Sequence, residues 1–376
     1  MVDKSRTRAT VIAVAVGAIV LIGGPAQAAG TGWTAVPSPS DVPGDNYLYG
    51  SDATDASNVW AVGGVRPPTG GNYHGLVMRY DGTAWRSVAR TGLPGNESLQ
   101  DVDAVSSTDV WVIGDHRGSG FSTNDTLAAH WNGTAWTVES TPNGGGFNNL
   151  YGVAAAGGTV WAVGSYVDPS SSGNRLKLIL QRTGGTWRIA AAPRVAADER
   201  LAAVDATGSA DAWAVGSSAS SASSSWGPLA LHWNGSSWVS ATVPAPPGTW
   251  FTGVDARTPS DVWVVGSTLN GSTYQPYAAH FNGTSWGTVA TPTLSGGGEL
   301  ADVAALSPSS VVAVGRSNNA ALIMRWNGTA WTQEATPSLS NPYITGVVAA
   351  GGTVWATGYR FELNAYANRT LTMLGP

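Results

Sequence analysis

The hexapeptide WNGTAW stands at 131–136 and again at 326–331, with the variants YDGTAW at 80–85, WNGSSW at 233–238 and FNGTSW at 281–286. Recurrence at a fixed interval constrains a fold more than any single motif, because each copy must be one supersecondary unit stacked on its neighbours. Two tryptophan series set the interval. One opens apolar runs at Trp60, Trp111, Trp161, Trp213, Trp263 and Trp355, with Ala313 in the remaining place, at spacings of 42 to 52 residues. The other is Trp33, Trp85, Trp136, Trp187, Trp238, Trp286 and Trp331, spaced 45 to 52. Both series have seven places.

Each unit divides into four short runs, exemplified by 150–155, 160–164, 127–131 and 135–139, rich in Val and aromatics and bounded by Gly, Ser, Asn and Asp. Such runs read as strands. Four strands per unit of ~40–50 residues is the pattern of a β-propeller blade. The expectation is therefore an all-β, seven-bladed propeller of four-stranded antiparallel blades. The last run, 369–374, matches a third strand, and the first, 32–36, matches a fourth strand with no predecessors. Joining them closes the ring, with three strands from 343–374 and the outermost strand from 32–37, and removes the exposed edges of an open sheet.

The hexapeptide then falls between third and fourth strands. Asn-Gly or Asp81-Gly82 there predicts a two-residue type I′ hairpin, because both central residues need positive φ. Asn132, Asn234, Asn282 and Asn327 also complete N-x-[ST] sequons, but the turn already accounts for those letters. His130, His232 and His280 occupy equivalent places on three blades, too far apart to ligate one metal, so a packing role is expected. The recurrent acids Asp52, Asp103, Asp205 and Asp255, and Asp109, Asp211 and Asp261, read as turn residues.

At the N-terminus, Lys4, Arg6 and Arg8 precede an apolar run over 9–22 and then Ala26-Gln27-Ala28. This is the pattern of a secretory signal peptide (1–28) cut after Ala28. The run is too short for a membrane anchor across ~30 Å. The remaining domain, 29–376, loses three basic residues and one acid, taking the net charge from −5 to −7. Lys177 is its one lysine, so no basic patch suits nucleic acid. Without Cys there is no disulfide framework or thiol chemistry. The expectation is an extracellular monomer without cofactor or metal, and without a membrane span once processed.

Blade-to-blade connections and the loops between second and third strands share one face. These loops, 64–75, 115–125, 166–175, 217–228, 268–276 and 359–368, are long and differ in every blade, and variable loops on a rigid ring are where binding residues sit. Trp226 and Trp250 lie in that face and outside the repeat, either as ligand platforms or as loop cover. The residues just before the first strands form a second cluster: Tyr47, Ser98, Asn149, Arg200, Trp250, Glu299 and Tyr343. They should ring the channel mouth, as a ligand site or as filling. His74, His116, Arg117 and Asp168 share the face.

The unit VWAVGG (59–64) followed by MRYDGTAW (78–85) resembles a Kelch repeat, whose second strand ends in paired glycines ahead of a Tyr and a Trp. The resemblance spans roughly 32–374, although only the first unit has both glycines. The chain is also similar to secreted bacterial propeller proteins with DVWAVG-like and WNGTAW-like segments. Neither likeness implies a defined activity. Among Kelch propellers, galactose oxidase needs a Tyr–Cys crosslink, which a chain without Cys cannot form, and the S-x-D-x-G-x-x-W boxes of sialidases are not found.

Two functions fit. One is a secreted, non-catalytic propeller gripping glycan, cell-wall polymer or an extracellular protein on its loop face. The other is an extracellular carbohydrate-active hydrolase or lyase, which needs two acids ~5–10 Å apart. Its candidates off the repeat are Asp45, Glu97, Asp115, Asp125, Asp168, Asp198, Glu199, Glu299 and Glu362. A purely structural surface protein stays open as a third reading. No nucleophile elbow, phosphate loop or dinucleotide fingerprint is present.

Overall fold

The computed structural model describes residues 32–40, 44–68, 73–117, 124–171, 173–220 and 226–376. The expected signal segment and its cleavage site lie outside them. Seven four-stranded antiparallel sheets form the blades, and the innermost strands touch in sequence around a closed circle. Those innermost strands are Asp45–Asp55, Glu97–Ser106, Gly146–Ala156, Asp198–Gly208, Thr249–Thr258, Glu299–Ser307 and Pro342–Ala350. Among the described residues no helix is long and apolar enough to cross a membrane.

Closure follows the expected route. Thr34–Val36 pairs antiparallel with the last strand, Ala367–Gly375, through Thr34↔Leu374, Ala35↔Met373 and Val36↔Thr372. Three residue pairs make a short seam, and side chains reinforce it. Trp33 is buried and donates from Nε1 to Glu334 at 2.6 Å, while Thr372 Oγ1 donates to the Val36 carbonyl at 2.8 Å.

The tryptophans form a ladder between blades. Each second-strand Trp meets the fourth-strand Trp of the next blade edge to face: Trp60–Trp136, Trp111–Trp187, Trp161–Trp238, Trp213–Trp286, Trp263–Trp331 and Trp355–Trp85, with centroids 5.1–6.1 Å apart. This geometry places the positive ring edge on the negative face, and each pair adds about 0.5–1.5 kcal/mol beyond burial.

The hexapeptide turn differs from its type I′ expectation. Trp131 pairs with Trp136, leaving four residues in the loop, and only Gly133 takes a positive φ, of 97°. Asn132 instead uses its side chain: Oδ1 accepts from the N–H of Thr134 and Ala135, both at 3.0 Å, and from the Thr134 hydroxyl at 2.8 Å. Asx geometry wins because one oxygen serves three donors. Asp81 does the same with Thr83 and Ala84, which is why Asp substitutes for Asn.

The recurrent acids are also not turn residues. Asp52, Asp103, Asp205 and Asp255 each reach into the next blade, accepting from the amides of Ala104, Ala155, Ala256 and Ala305 at 2.7–3.1 Å. They stitch blade to blade where the innermost strands offer amides without a strand partner. Asp109, Asp211 and Asp261 bind Nε2 of His130, His232 and His280 at 2.7–2.8 Å. Each imidazole stacks on Trp111, Trp213 or Trp263 at 4.2–4.5 Å. The three histidines are therefore packing residues on separate blades.

The face loops are shorter than expected because the second and third strands pair beyond their apolar stretches. At 268–276 the hairpin is continuous, Thr268↔Gln275 through Asn270↔Thr273, and turns on Gly271, whose φ of 63° fits the first central position of a two-residue turn.

Candidate functional site: the channel mouth

Every innermost strand slips register against its neighbour near the channel mouth, as in Leu48↔Gly63 followed by Gly50↔Val62. The unpaired residues of these bulges are Tyr49, Gln100, Tyr151, Ala202, Thr252, Ala301 and Thr345. A bulge bends its strand and re-aims a side chain. The residues expected to precede the first strands lie within them, two places before the bulge. Across from this kink the backbones approach so closely that a side chain does not fit. A Cβ on Gly216, Gly266, Gly315 or Gly358 would stand 2.0 Å from the carbonyl oxygen of Arg200, Trp250, Glu299 or Tyr343, and the other three blades repeat the contact. The glycine of each second strand and the rim residue opposite it are thus one device, which accounts for the single glycine that all seven units keep.

The rim opens into a cavity of about 540 Å³, to which all blades but the first contribute. Four of the rim candidates line it: Arg200, Trp250, Glu299 and Tyr343. Sequence reasoning missed Gln100, Tyr151, Thr345 and Arg316. The first three are bulge residues, two places beyond the rim, and the glycine kept in every second strand was the signal that could have found them. Arg316 is the cross-strand partner of Glu299.

The other candidates fall elsewhere. Tyr47 is consumed by packing, stacked on Tyr49 at 5.9 Å and edge-on to Tyr359 at 4.8 Å, its hydroxyl accepting from Asn368 at 3.0 Å. This tyrosine cluster joins the first and seventh blades and does not line the cavity. Asn149 accepts from Arg175 at 3.5 Å, and Ser98 from Gln100 at 2.8 Å. Trp226 does not line the cavity but lies beneath Arg200, whose guanidinium sits 4.5 Å from its ring. Asp168 is held by Ser170, and neither His74, His116 nor Arg117 lines the cavity. Of the off-repeat acids, Glu299 alone lines it, while buried Asp198 ties Arg200 down at 3.2 Å from Nε.

Glu299 and Arg316 are directly opposed in register yet do not pair. Arg316 turns away, donating from Nε to the Asn318 carbonyl at 2.7 Å and from Nη2 to Asn319 Oδ1 at 3.1 Å, with its guanidinium 5.7 Å from the Tyr343 ring. Glu299 makes no hydrogen bond or ion pair with the described residues. Burial pushes the Tyr343 phenol up, and the Glu299 charge adds to the shift. Trp250 stands edge-on to Tyr274 at 4.6 Å, and Tyr274 and Tyr151 keep large exposed surfaces. A second hollow of about 290 Å³, bounded by Tyr274, Gly296, Gly297, Gly298 and Asn318, shares Glu299 and Arg316 with the mouth. Among the described residues no group of His, Asp or Glu could hold a metal ion.

The sequence matches no protein-family model and no curated protein. Solved structures do resemble the fold. A structure of YCF48 bound to D1 peptide superposes with a TM-score of 0.57 at 14% identity, over 94% of this chain and 97% of that one. YCF48 from Cyanidioschyzon merolae gives 0.56 at 16%, over 92% and 99%. A chain of the mitotic checkpoint complex gives 0.57 at 9%, over 98% and 99%. At these identities the likeness shows the propeller architecture and nothing of the site.

Proposed function

We propose that this chain is a secreted, non-catalytic binding propeller whose ligand occupies the mouth cavity. One observation carries the reading: the rim and bulge residues of six blades converge on one concave space, with aromatic walls from Trp250, Tyr343 and Tyr151 and charged groups from Arg200, Arg316 and Glu299. A concave site of aromatic surface with a few convergent polar groups is what small ligands, glycans and short protein segments use. Secretion rests on the N-terminal pattern over 1–28. One of the similar propellers is itself a peptide complex, so the architecture serves binding elsewhere.

The test is an array of soluble glycans, insoluble cell-wall polymers and peptides, probed with the purified chain 29–376 beside Trp250→Ala and Tyr343→Ala. Loss of an aromatic platform should weaken binding about tenfold or more. Trp226→Ala should weaken it less, since Trp226 positions Arg200 and does not line the cavity. Binding that ignores both platform substitutions would move the site off the mouth and sink the reading.

A further inference from the structure

We propose that the mouth cavity and the hollow beside it form one cleft for an acidic oligosaccharide of two or more units, with a sugar carboxylate at Arg316 and sugar hydroxyls at Glu299. The inference rests on the binding reading above and names its ligand class. Its first support is adjacency. The two spaces, about 540 and 290 Å³, share Glu299 and Arg316 as their common wall, so a ligand that fills both is chain-like and passes these two residues.

The second support is charge. Among the described residues Arg316 has no acidic partner; its contacts are the carbonyl of Asn318 and the side-chain oxygen of Asn319. These two contacts fix the guanidinium and leave most of its five N–H donors for a ligand. A planar fork held in place suits a carboxylate, which takes two parallel N–H bonds. Arg200 supplies a second guanidinium in the same cavity, steadied by Asp198 and by the face of Trp226.

Glu299 sets the opposite requirement. An unpaired carboxylate is acceptor-only, so it fits adjacent hydroxyls and repels an acid placed beside it. The pair therefore orients the ligand, acid group toward the arginines and diol toward Glu299. The walls fit sugar rings. Trp250 and Tyr274 offer aromatic surface on either side of the junction. Three consecutive glycines, Gly296, Gly297 and Gly298, line the outer hollow without side chains to obstruct a ring.

The test is calorimetric titration of the chain 29–376 with galacturonic acid oligomers of one to four units and with neutral glucose oligomers of the same lengths. Affinity for the acidic series should rise about tenfold or more from one unit to two or three. At low salt the acidic oligomers should bind about tenfold or more tighter than the neutral ones, a gap that narrows as salt screens the arginines. Arg316→Gln should cut affinity for the acidic series about tenfold and for the neutral series much less, and Arg316→Lys should keep part of the acidic preference. Melting temperatures equal to the parent's certify that both variants fold. Equal affinity for monomer and tetramer, equal affinity for acidic and neutral series, or a preference undiminished in Arg316→Gln would each overturn the proposal. If no sugar binds but another ligand does so in a Trp250-dependent manner, this inference fails and the mouth-binding reading stands. If nothing bound depends on Trp250 or Tyr343, both fail.

Discussion

The ring is closed by a seam of three residue pairs, and Trp33 is the large buried side chain beside it, so Trp33→Ala tests closure directly. Trp33 is 6% exposed, lies against Gly375 and donates to Glu334 at 2.6 Å. Truncating a buried Trp to Ala costs about 3–5 kcal/mol, from lost transfer energy and the cavity left behind. For a domain of roughly 345 residues, an unfolding entropy of ~2.1 cal/mol/K per residue makes the total ~0.7 kcal/mol/K, so the melting temperature should fall by about 4–7 °C. The reference is Trp60→Ala, a fully buried ladder residue between the first two blades. If the seam is integral, the two variants lose comparable amounts in differential scanning calorimetry. A Trp33→Ala chain melting within about 1 °C of the parent, while Trp60→Ala drops as calculated, would mean the seam is not what keeps the ring shut.

Three further outcomes follow from particular residues. Asp101 faces a narrow space of about 80 Å³ below the mouth, where burial raises its carboxyl well above the usual range and the charges of Asp302 and Asp52 add to the shift. A folded-state value above the unfolded one means stability is fullest below about pH 4 and is lost as pH rises through the raised value. Asp101→Asn, which keeps an acceptor for the Val153 amide, should therefore melt higher than the parent at pH 7–8 and show no advantage near pH 4; melting curves across that range with no change in the difference would refute it. Gly266→Ala should destabilise by about 1–3 kcal/mol or more and weaken ligand binding, because its Cβ would push the Trp250 carbonyl. Gly287→Ala, with open space around it, is the control that should do neither. Secretion predicts that protein exported from cells begins at Ala29, read by N-terminal sequencing; an intact Met1 in the medium contradicts the signal-peptide reading.

What the sequence made legible was whatever the repeat writes seven times. The tryptophan series fixed blade number, and the unmatched strands at the two ends fixed how the ring shuts. Period and hydrophobicity carry this information because each blade buries the same faces. The Asx turns and the inter-blade aspartates were misread for a shared reason. Composition says that Asn, Asp and Gly belong to turns, but not whether a side chain or a backbone satisfies the donors, nor that Asp52 reaches an amide 52 residues away in Ala104. The site was half legible. Rim position alone brought Arg200, Trp250, Glu299 and Tyr343 together, while the bulges that swing Gln100, Tyr151 and Thr345 into the cavity leave no mark on hydrophobic spacing. One trace of them was on the page. A glycine kept at the same place in every second strand, in segments otherwise built of Val, Ala and Trp, marks a close backbone approach, and here the backbone that approaches belongs to the rim residue itself. The scaffold's most regular letter therefore points to its least regular position. The repeat fixes where each rim carbonyl stands, and leaves each blade free to choose the side chain that stands on it.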